Sequence, residues 1–264
     1  MVNILDNKTK SELVFGRRPV LEIIENGKIN VNKIWISEGF QDRALKDRVI
    51  LFAKEKKTPY FIVPNEKLNN LSENKNHQGI ILSISPIEYL SINELVDNTQ
   101  SSNLKALGSN VILIAHEIED THNLGAMIRT FVAAGGKGII LTGRSSVGIN
   151  ASTIKTSAGA LFQAEFARAT NCSQVIEKLK KKDFWIAGTD NSSGAKSLYE
   201  IDFPDKIAIV VGNEHEGLPR LVKENCDFLA KIPISNKVNS LNVSVAFGIV
   251  LFEYLRQHTP ARSS

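Results

Sequence analysis

Three short stretches gather polar residues where a folded chain would ordinarily place apolar ones. The first is Glu119-Asp120-Thr121-His122-Asn123-Leu124-Gly125-Ala126-Met127-Ile128-Arg129. Asn123 is placed to cap a helix, because its short side chain can accept from a free backbone N–H. Gly125 in a first helical turn is costly unless something must approach closely. Arg129 sits in an otherwise apolar helix, where it can hold an anion or simply face solvent. The second stretch is Val211-Gly212-Asn213-Glu214-His215-Glu216-Gly217-Leu218-Pro219. Two glycines bracket two carboxylates and a histidine directly after an apolar run, which suits backbone pressed against a ligand. As metal ligands, Glu214, His215 and Glu216 lack a spaced partner pair such as His-x-x-x-His. The third stretch runs from Ile232-Pro233-Ile234 through Ser240-Leu241-Asn242-Val243-Ser244. Ser240 is a fair helix cap, so Asn242 and Ser244 fall in the first turns, where free N–H groups can hold a ligand. Capping accounts for Ser240 but not for Asn242.

The elements that must carry these stretches follow from hydrophobic period. From residue 110 onward, strand signals at Val111–Ala115, Ile139–Thr142, Phe184–Gly188, Ile207–Val211 and Leu229–Ile232 alternate with helical ones. The helices fall at Leu124–Ala134, which stops at Gly135-Gly136, at Ile154–Phe162, and at Ser240–Arg256. The last places Leu241, Val245, Ile249, Phe252 and Leu255 on one face. This alternation predicts an α/β fold with a mostly parallel sheet covered on both sides, and a ligand beyond the carboxyl ends of the strands. The front segment reads as a smaller α/β unit. It has helices at Pro19–Glu25 and Asp42–Lys56, the latter with Leu45, Val49, Phe52 and Ala53 on one face, and strands at Lys33–Ile36, Tyr60–Val63 and Gly79–Ser85. We divide the chain into residues 1–86, a polar linker at 87–109 with one short helix near Ile92–Val96, and residues 110–258.

Composition narrows the function. The net charge of +4 resides in the front, where residues 1–85 carry 14 Lys/Arg against 10 Asp/Glu. A basic front suits a polyanion, although charge alone is equally met by a solvated surface. Cys172 and Cys226 are too few for a disulfide framework or a zinc cluster. No apolar run approaches the ~18 residues that span a bilayer, and the first residues lack a signal-peptide pattern, so a cytoplasmic location is expected. Gly135, Gly136 and Gly138 close a helix and lead into a strand, the reverse of a nicotinamide-binding glycine loop, and there is no Walker loop.

Taken together and in order, the three stretches resemble the motifs of the SpoU-type (TrmH family) RNA 2′-O-methyltransferases of the SPOUT superfamily, over about residues 110–258. Ser240-Leu241-Asn242-Val243-Ser244 at the start of a terminal helix is the most specific part. Gly16-Arg17-Arg18-Pro19-Val20-Leu21-Glu22 and His77-Gln78-Gly79-Ile80 are similar to the start and end of that family's ribosomal-protein-like substrate domain. Asn236 stands where the family usually has glycine, Ile234 where methionine is common, and Thr121 where proline is frequent.

The resemblance implies a carboxyl-terminal trefoil knot gripping S-adenosylmethionine near Thr189, Gly212, Ile232, Leu241 and Asn242. It implies a catalytic set of Arg129, Asn123, Glu214, Ser240 and Asn242, no metal, and RNA contacts at Arg17, Arg18, His77 and Arg129. Because arginine is a poor base, Arg129 is expected to clamp phosphate and orient the 2′-hydroxyl, with proton acceptance left open. The implied substrate is RNA, with a guanosine of 23S ribosomal RNA first and tRNA or an rRNA adenosine as alternatives. A homodimer is also implied. A non-catalytic RNA-binding protein on the same fold is the remaining class, and it would require Asn123, Arg129 and Asn242 to be incidental.

Overall fold

The computed structural model describes residues 11–27, 29–101, 110–192, 194–235 and 237–259. Asn236 and residues 102–109 of the expected linker lie outside them. The chain packs as two units, the first formed by the described residues up to Glu88 together with Ile149–Phe162, the second by Tyr89–Gly148 and the residues from Gln163 onward.

The first unit is built on β1 (Glu12–Phe15), α1 (Arg17–Asn26), β2 (Val31–Ser37), α2 (Arg43–Glu55), β3 (Tyr60–Val63), α3 (Asn65–Leu71) and β4 (Ile80–Ile84). Its sheet has the order β1-β4-β2-β3, antiparallel except for the β2–β3 pairing. Helix α2 buries Leu45, Val49, Phe52 and Ala53, the stripe its period implies, and Asp42 caps it by accepting from Leu45 N–H at 3.1 Å. The helix α3 left almost no trace in the sequence. It buries Leu68 alone among its residues and is otherwise polar apart from the half-buried Leu71.

The second unit continues with α4 (Ile92–Ser101), β5 (Val111–His116), α5 (Thr121–Ala133) and β6 (Gly138–Thr142). The chain then makes α6 (Ala151–Thr156), which packs on β1 and α1 of the first unit, and a 3-10 turn at Ala160–Gln163. After it come β7 (Glu165–Ala169), α7 (Cys172–Lys180), β8 (Trp185–Thr189), β9 (Lys196–Ser197), β10 (Ile207–Val211), α8 (Arg220–Asn225), β11 (Phe228–Lys231) and α9 (Val243–His258). The sheet order is β7-β6-β5-β10-β8-β11-β9, and every pairing is parallel. Strands β5, β6 and β10 are buried at every residue, as a parallel sheet covered on both faces requires. β7 escapes a periodic reading because it is short and interrupted by Glu165 and Arg168, whereas α7 does carry a helical stripe, Cys172, Val175, Ile176 and Leu179, that was not singled out.

Two helix starts differ from expectation. Asp120, not Asn123, caps α5, accepting from His122 N–H at 2.8 Å, and α9 is capped by Asn242 rather than Ser240. In both, a side chain with a free carbonyl or carboxylate oxygen one turn away does the capping. The face of α9 also differs. The helix is apolar nearly all round, so period alone does not choose a side. It buries Val243, Phe247, Val250, Leu251, Tyr254 and Leu255, whereas Val245 and Phe252 are 50% and 52% exposed.

Helices α5 and α9 are joined by Phe131 and Phe247, both fully buried, with ring centroids 6.1 Å apart and planes tilted by 54°. Gly136 must lack a side chain here, since a Cβ would lie 2.3 Å from the Phe131 ring. Phe131→Ala is expected to cost about 3–5 kcal/mol of stability. Urea unfolding followed by circular dichroism checks this, and a loss below about 1 kcal/mol would show that this packing is dispensable.

Candidate active site

The carboxyl ends of β5, β8, β10 and β11 lie side by side, and the loops that leave them build the site. Asn213, directly after β10, fixes its loop. Its Nδ2 donates to the Glu117 carbonyl beyond β5 at 2.8 Å, and its Oδ1 accepts from His215 N–H at 2.8 Å and Glu216 N–H at 3.3 Å. Gly217 N–H closes the turn onto the Asn213 carbonyl at 3.0 Å. Gly212 allows this closure, because a Cβ there would lie 2.4 Å from the Gly217 backbone. Asn213 was not singled out from the sequence. The available signal was an asparagine at a strand end, the residue type that bonds its own backbone two positions on.

That turn carries Glu214 to two asparagines from distant parts of the chain. Asn123 Nδ2 donates to Glu214 Oε1 at 3.0 Å, and Asn242 Nδ2 donates to Asn123 Oδ1 at 2.9 Å. Asn242 Oδ1 meanwhile accepts from Ser244 N–H at 2.9 Å and from the Ser244 hydroxyl at 2.6 Å. Since α5 is capped by Asp120, the Asn123 side chain is free for this role.

A cavity of about 260 Å³ opens beside Glu214. Its wall includes Thr189 at the end of β8, Gly212 after β10, Ile232 after β11, and Ser240 and Leu241 before α9. Asp190 also lines it. Burial alone would raise the Asp190 carboxyl, but the Ser192 hydroxyl and Lys223, 2.9 Å away, outweigh this and hold it below the usual carboxylate value. Apolar Ile232 and Leu241 face carboxylates and hydroxyls across one space, a donor set suited to an amphipathic, cationic ligand.

Arg129 stands on α5 about 9 Å along the helix axis from Asn123. It is exposed and outside the cavity wall, and forms no side-chain hydrogen bond or ion pair among the described residues. The structure thus brings Asn123, Glu214 and Asn242 into one chain of bonds, sets Thr189, Gly212, Ile232, Ser240 and Leu241 around the cavity, and leaves Arg129 free at the surface. In the first unit, Arg17 and Arg18 are exposed, Arg18 pairing with Glu22 at 3.2 Å. His77 is buried, its Nε2 2.9 Å from Asn69 Oδ1 and its Nδ1 accepting from Gly79 N–H at 3.0 Å.

A parallel sheet whose loops build a cavity at its carboxyl edge places the chain among α/β proteins that bind a ligand there. Comparison with known proteins is more specific. Residues 110–252 match the SpoU rRNA methylase family, and residues 13–90 match the segment described as RNA 2′-O ribose methyltransferase substrate binding. A TrmH-family relative from Staphylococcus haemolyticus, grouped with tRNA/rRNA methyltransferases, is 37% identical over 247 residues, 93% of this chain and 95% of its own. The crystal structure of an AdoMet-bound rRNA methyltransferase from Sinorhizobium meliloti has the same fold, with a TM-score of 0.77 at 22% identity, covering 97% of this chain and 90% of that one. A solved RNA 2′-O ribose methyltransferase gives 0.73 at 25% identity, over 96% and 90%. The chain belongs to the SpoU/TrmH family of RNA methyltransferases.

Because its carboxyl is held low, the Asp190–Lys223 pair contributes stability that is full above the ordinary carboxylate value and is lost as pH falls from there through the lowered value. Asp190→Asn is therefore expected to lower the melting temperature at pH 7, with the gap from wild type closing below about pH 4. Melting curves across pH check this, and a gap that persists unchanged at pH 3 would contradict it.

Proposed function

We propose that this protein transfers a methyl group from S-adenosylmethionine to a ribose 2′-hydroxyl of RNA, a guanosine of 23S ribosomal RNA being the substrate we favour. The observation that carries the reading is the Glu214–Asn123–Asn242 chain set against a cavity of amphipathic character. Residues 13–90, matched to a ribose-methyltransferase substrate-binding segment, support RNA as the acceptor. We assign residues 1–86 to holding RNA and 110–258 to catalysis; of the expected linker at 87–109, α4 packs on β6 and β7 as part of the second unit, while Ile149–Phe162 packs with the first.

S-adenosylmethionine supplies an electrophilic methyl group on a sulfonium. The protein's part is to align, dry and deprotonate, and alignment alone can lower such a barrier by ~7–11 kcal/mol. Thr189, Gly212, Ile232 and Leu241 hold the donor through the loops they belong to. Glu214 would offer it a carboxylate, which favours a cation in a partly desolvated site, while the Asp190 charge beside it is balanced by Lys223. Arg129, unpaired among the described residues, is available to grip a phosphate in bidentate fashion and to orient the neighbouring 2′-hydroxyl. Ser240, which lines the same cavity as Glu214, can relay the hydroxyl proton to that carboxylate or to solvent.

We further infer a trefoil knot at the carboxyl end, supported by β10 lying between β5 and β8 and by Asn191 Nδ2 donating to the Asn239 carbonyl at 3.3 Å. A homodimer is supported by the outward Val245 and Phe252 of α9, seven residues apart and so on one stripe. A cytoplasmic location is in keeping with the RNA substrate, and no described helix is long and apolar enough to cross a membrane.

Arg129→Ala is expected to retain cofactor affinity within about twofold and to lose at least 100-fold in transfer. Calorimetry with S-adenosylmethionine and tritiated-methyl transfer to ribosomal RNA from cells lacking the gene check this. Near-normal turnover in the variant would remove Arg129 from the mechanism. Mapping the 2′-O-methyl position in the product distinguishes guanosine from adenosine, and a tRNA arm tests the alternative acceptor.

A further inference from the structure

The first unit contains an open pocket of about 450 Å³ that the methyl-transfer chemistry does not use. It lies where the start of α1, the loop between β2 and α2, and the turn before β4 meet. Its surroundings are unusual for a surface hollow. Arg17 supplies a guanidinium 5.4 Å over the ring of Phe40, itself 7% exposed. Gln41, Asn65 and Gln78 supply three side-chain amides, and Gly39 and Gly79 leave the floor without side chains.

The pocket is held in shape from behind. His77 accepts from Gly79 N–H and bonds Asn69, which fixes the turn that presents Gln78. Gln78 Oε1 accepts from the Arg17 backbone N–H at 2.9 Å, so the amide's carbonyl end is committed and its NH2 end remains to donate. Gly79 has φ +83°, and a Cβ there would lie 2.7 Å from the Phe40 ring, so the turn and the ring must be built together. The Arg17 side chain keeps about half its surface exposed, 49%, and reaches Asp42 only at 3.9 Å. The guanidinium thus lies against an aromatic ring while about half of the Arg17 side-chain surface is left for a flat ligand.

We propose that this pocket takes one unpaired nucleotide of the RNA substrate, its base stacked on the Arg17 guanidinium and its edge read by the amides of Gln78, Gln41 and Asn65. Guanidinium planes and amides are the groups that recognise splayed-out bases in single-stranded RNA, whereas a duplex hides those faces and edges. The proposal rests on the reading of this unit as the RNA-holding part of the protein, and it adds the kind of RNA that is held: a single-stranded or bulged element.

The test uses full-length protein and three fluorescein-labelled probes in anisotropy titrations: 12-mer oligo(A), 12-mer oligo(U) and a 12-base-pair RNA duplex. Arg17→Lys preserves charge and removes the planar stack. The expected result is at least a fivefold loss of affinity for the single strands with the duplex unchanged. Asn65→Ala, at a side chain with no bond to the fold among the described residues, should change the oligo(A) to oligo(U) preference. Equal losses for single strand and duplex in Arg17→Lys would reduce Arg17 to a phosphate contact and overturn the proposal, as would no loss at all alongside tight wild-type binding. Failure of the wild-type protein to bind any of the three probes would instead overturn the RNA-holding reading beneath it.

Discussion

The amide of Asn242 can point only one way. Its oxygen is claimed by the first backbone N–H groups of α9, so its nitrogen must face outward, where among the described residues it donates to the oxygen of Asn123. That fixes Asn123 in turn, whose nitrogen faces Glu214. A helix end thus sets the orientation of a carboxylate two links along the series, with one N–H of each amide committed to the next member. Amide orientation is normally a matter of choosing between two near-equal flips, but here the capping bond makes the choice. The series ends on an acceptor, the one member of the set that can carry charge.

The rest of the fold reads as what it takes to bring those three residues together. Glu214 must leave β10 on a turn tight enough to aim it, which Asn213 and the paired glycines supply. Asn123 must sit inside α5 and not at its end, which the earlier cap at Asp120 permits. Asn242 must meet Asn123, which requires α5 and α9 to pack closely, as the Phe131–Phe247 contact does. Parallel strands then deliver all the loops to a single edge of the sheet. Buried apolar contacts and a few capping bonds therefore position a polar site that has little packing of its own.

Much of this was visible in the sequence as an oddity of composition. Glu214 and Asn242 stood out because a simple turn or cap does not need them, and Gly212 and Gly217 because two glycines so close imply crowded backbone, whereas Asn123 read as an ordinary helix cap. Their mutual bonds were not visible, since 91 and 119 residues separate the partners and no local pattern encodes such a pairing. Helix caps were misplaced by two or three positions because several short polar residues compete near each start, and only tertiary contacts decide among them. The buried side of α9 was misjudged for a related reason: a helix apolar on nearly every side has no preferred stripe. In the first unit the sequence showed Arg17 and His77 but gave no sign that His77 turns inward to brace the turn that Gln78 occupies.

The central claim is that Asn123 and Asn242 act as one unit in orienting Glu214. A double-mutant cycle on the methyl-transfer rate tests it most directly, using Asn123→Ala, Asn242→Ala and the pair at saturating S-adenosylmethionine. The account predicts a coupling of about 1 kcal/mol or more, with the double variant little worse than either single one. Losses that add to within about 0.3 kcal/mol would mean that the two asparagines act independently, and that the bond between them has no part in the chemistry.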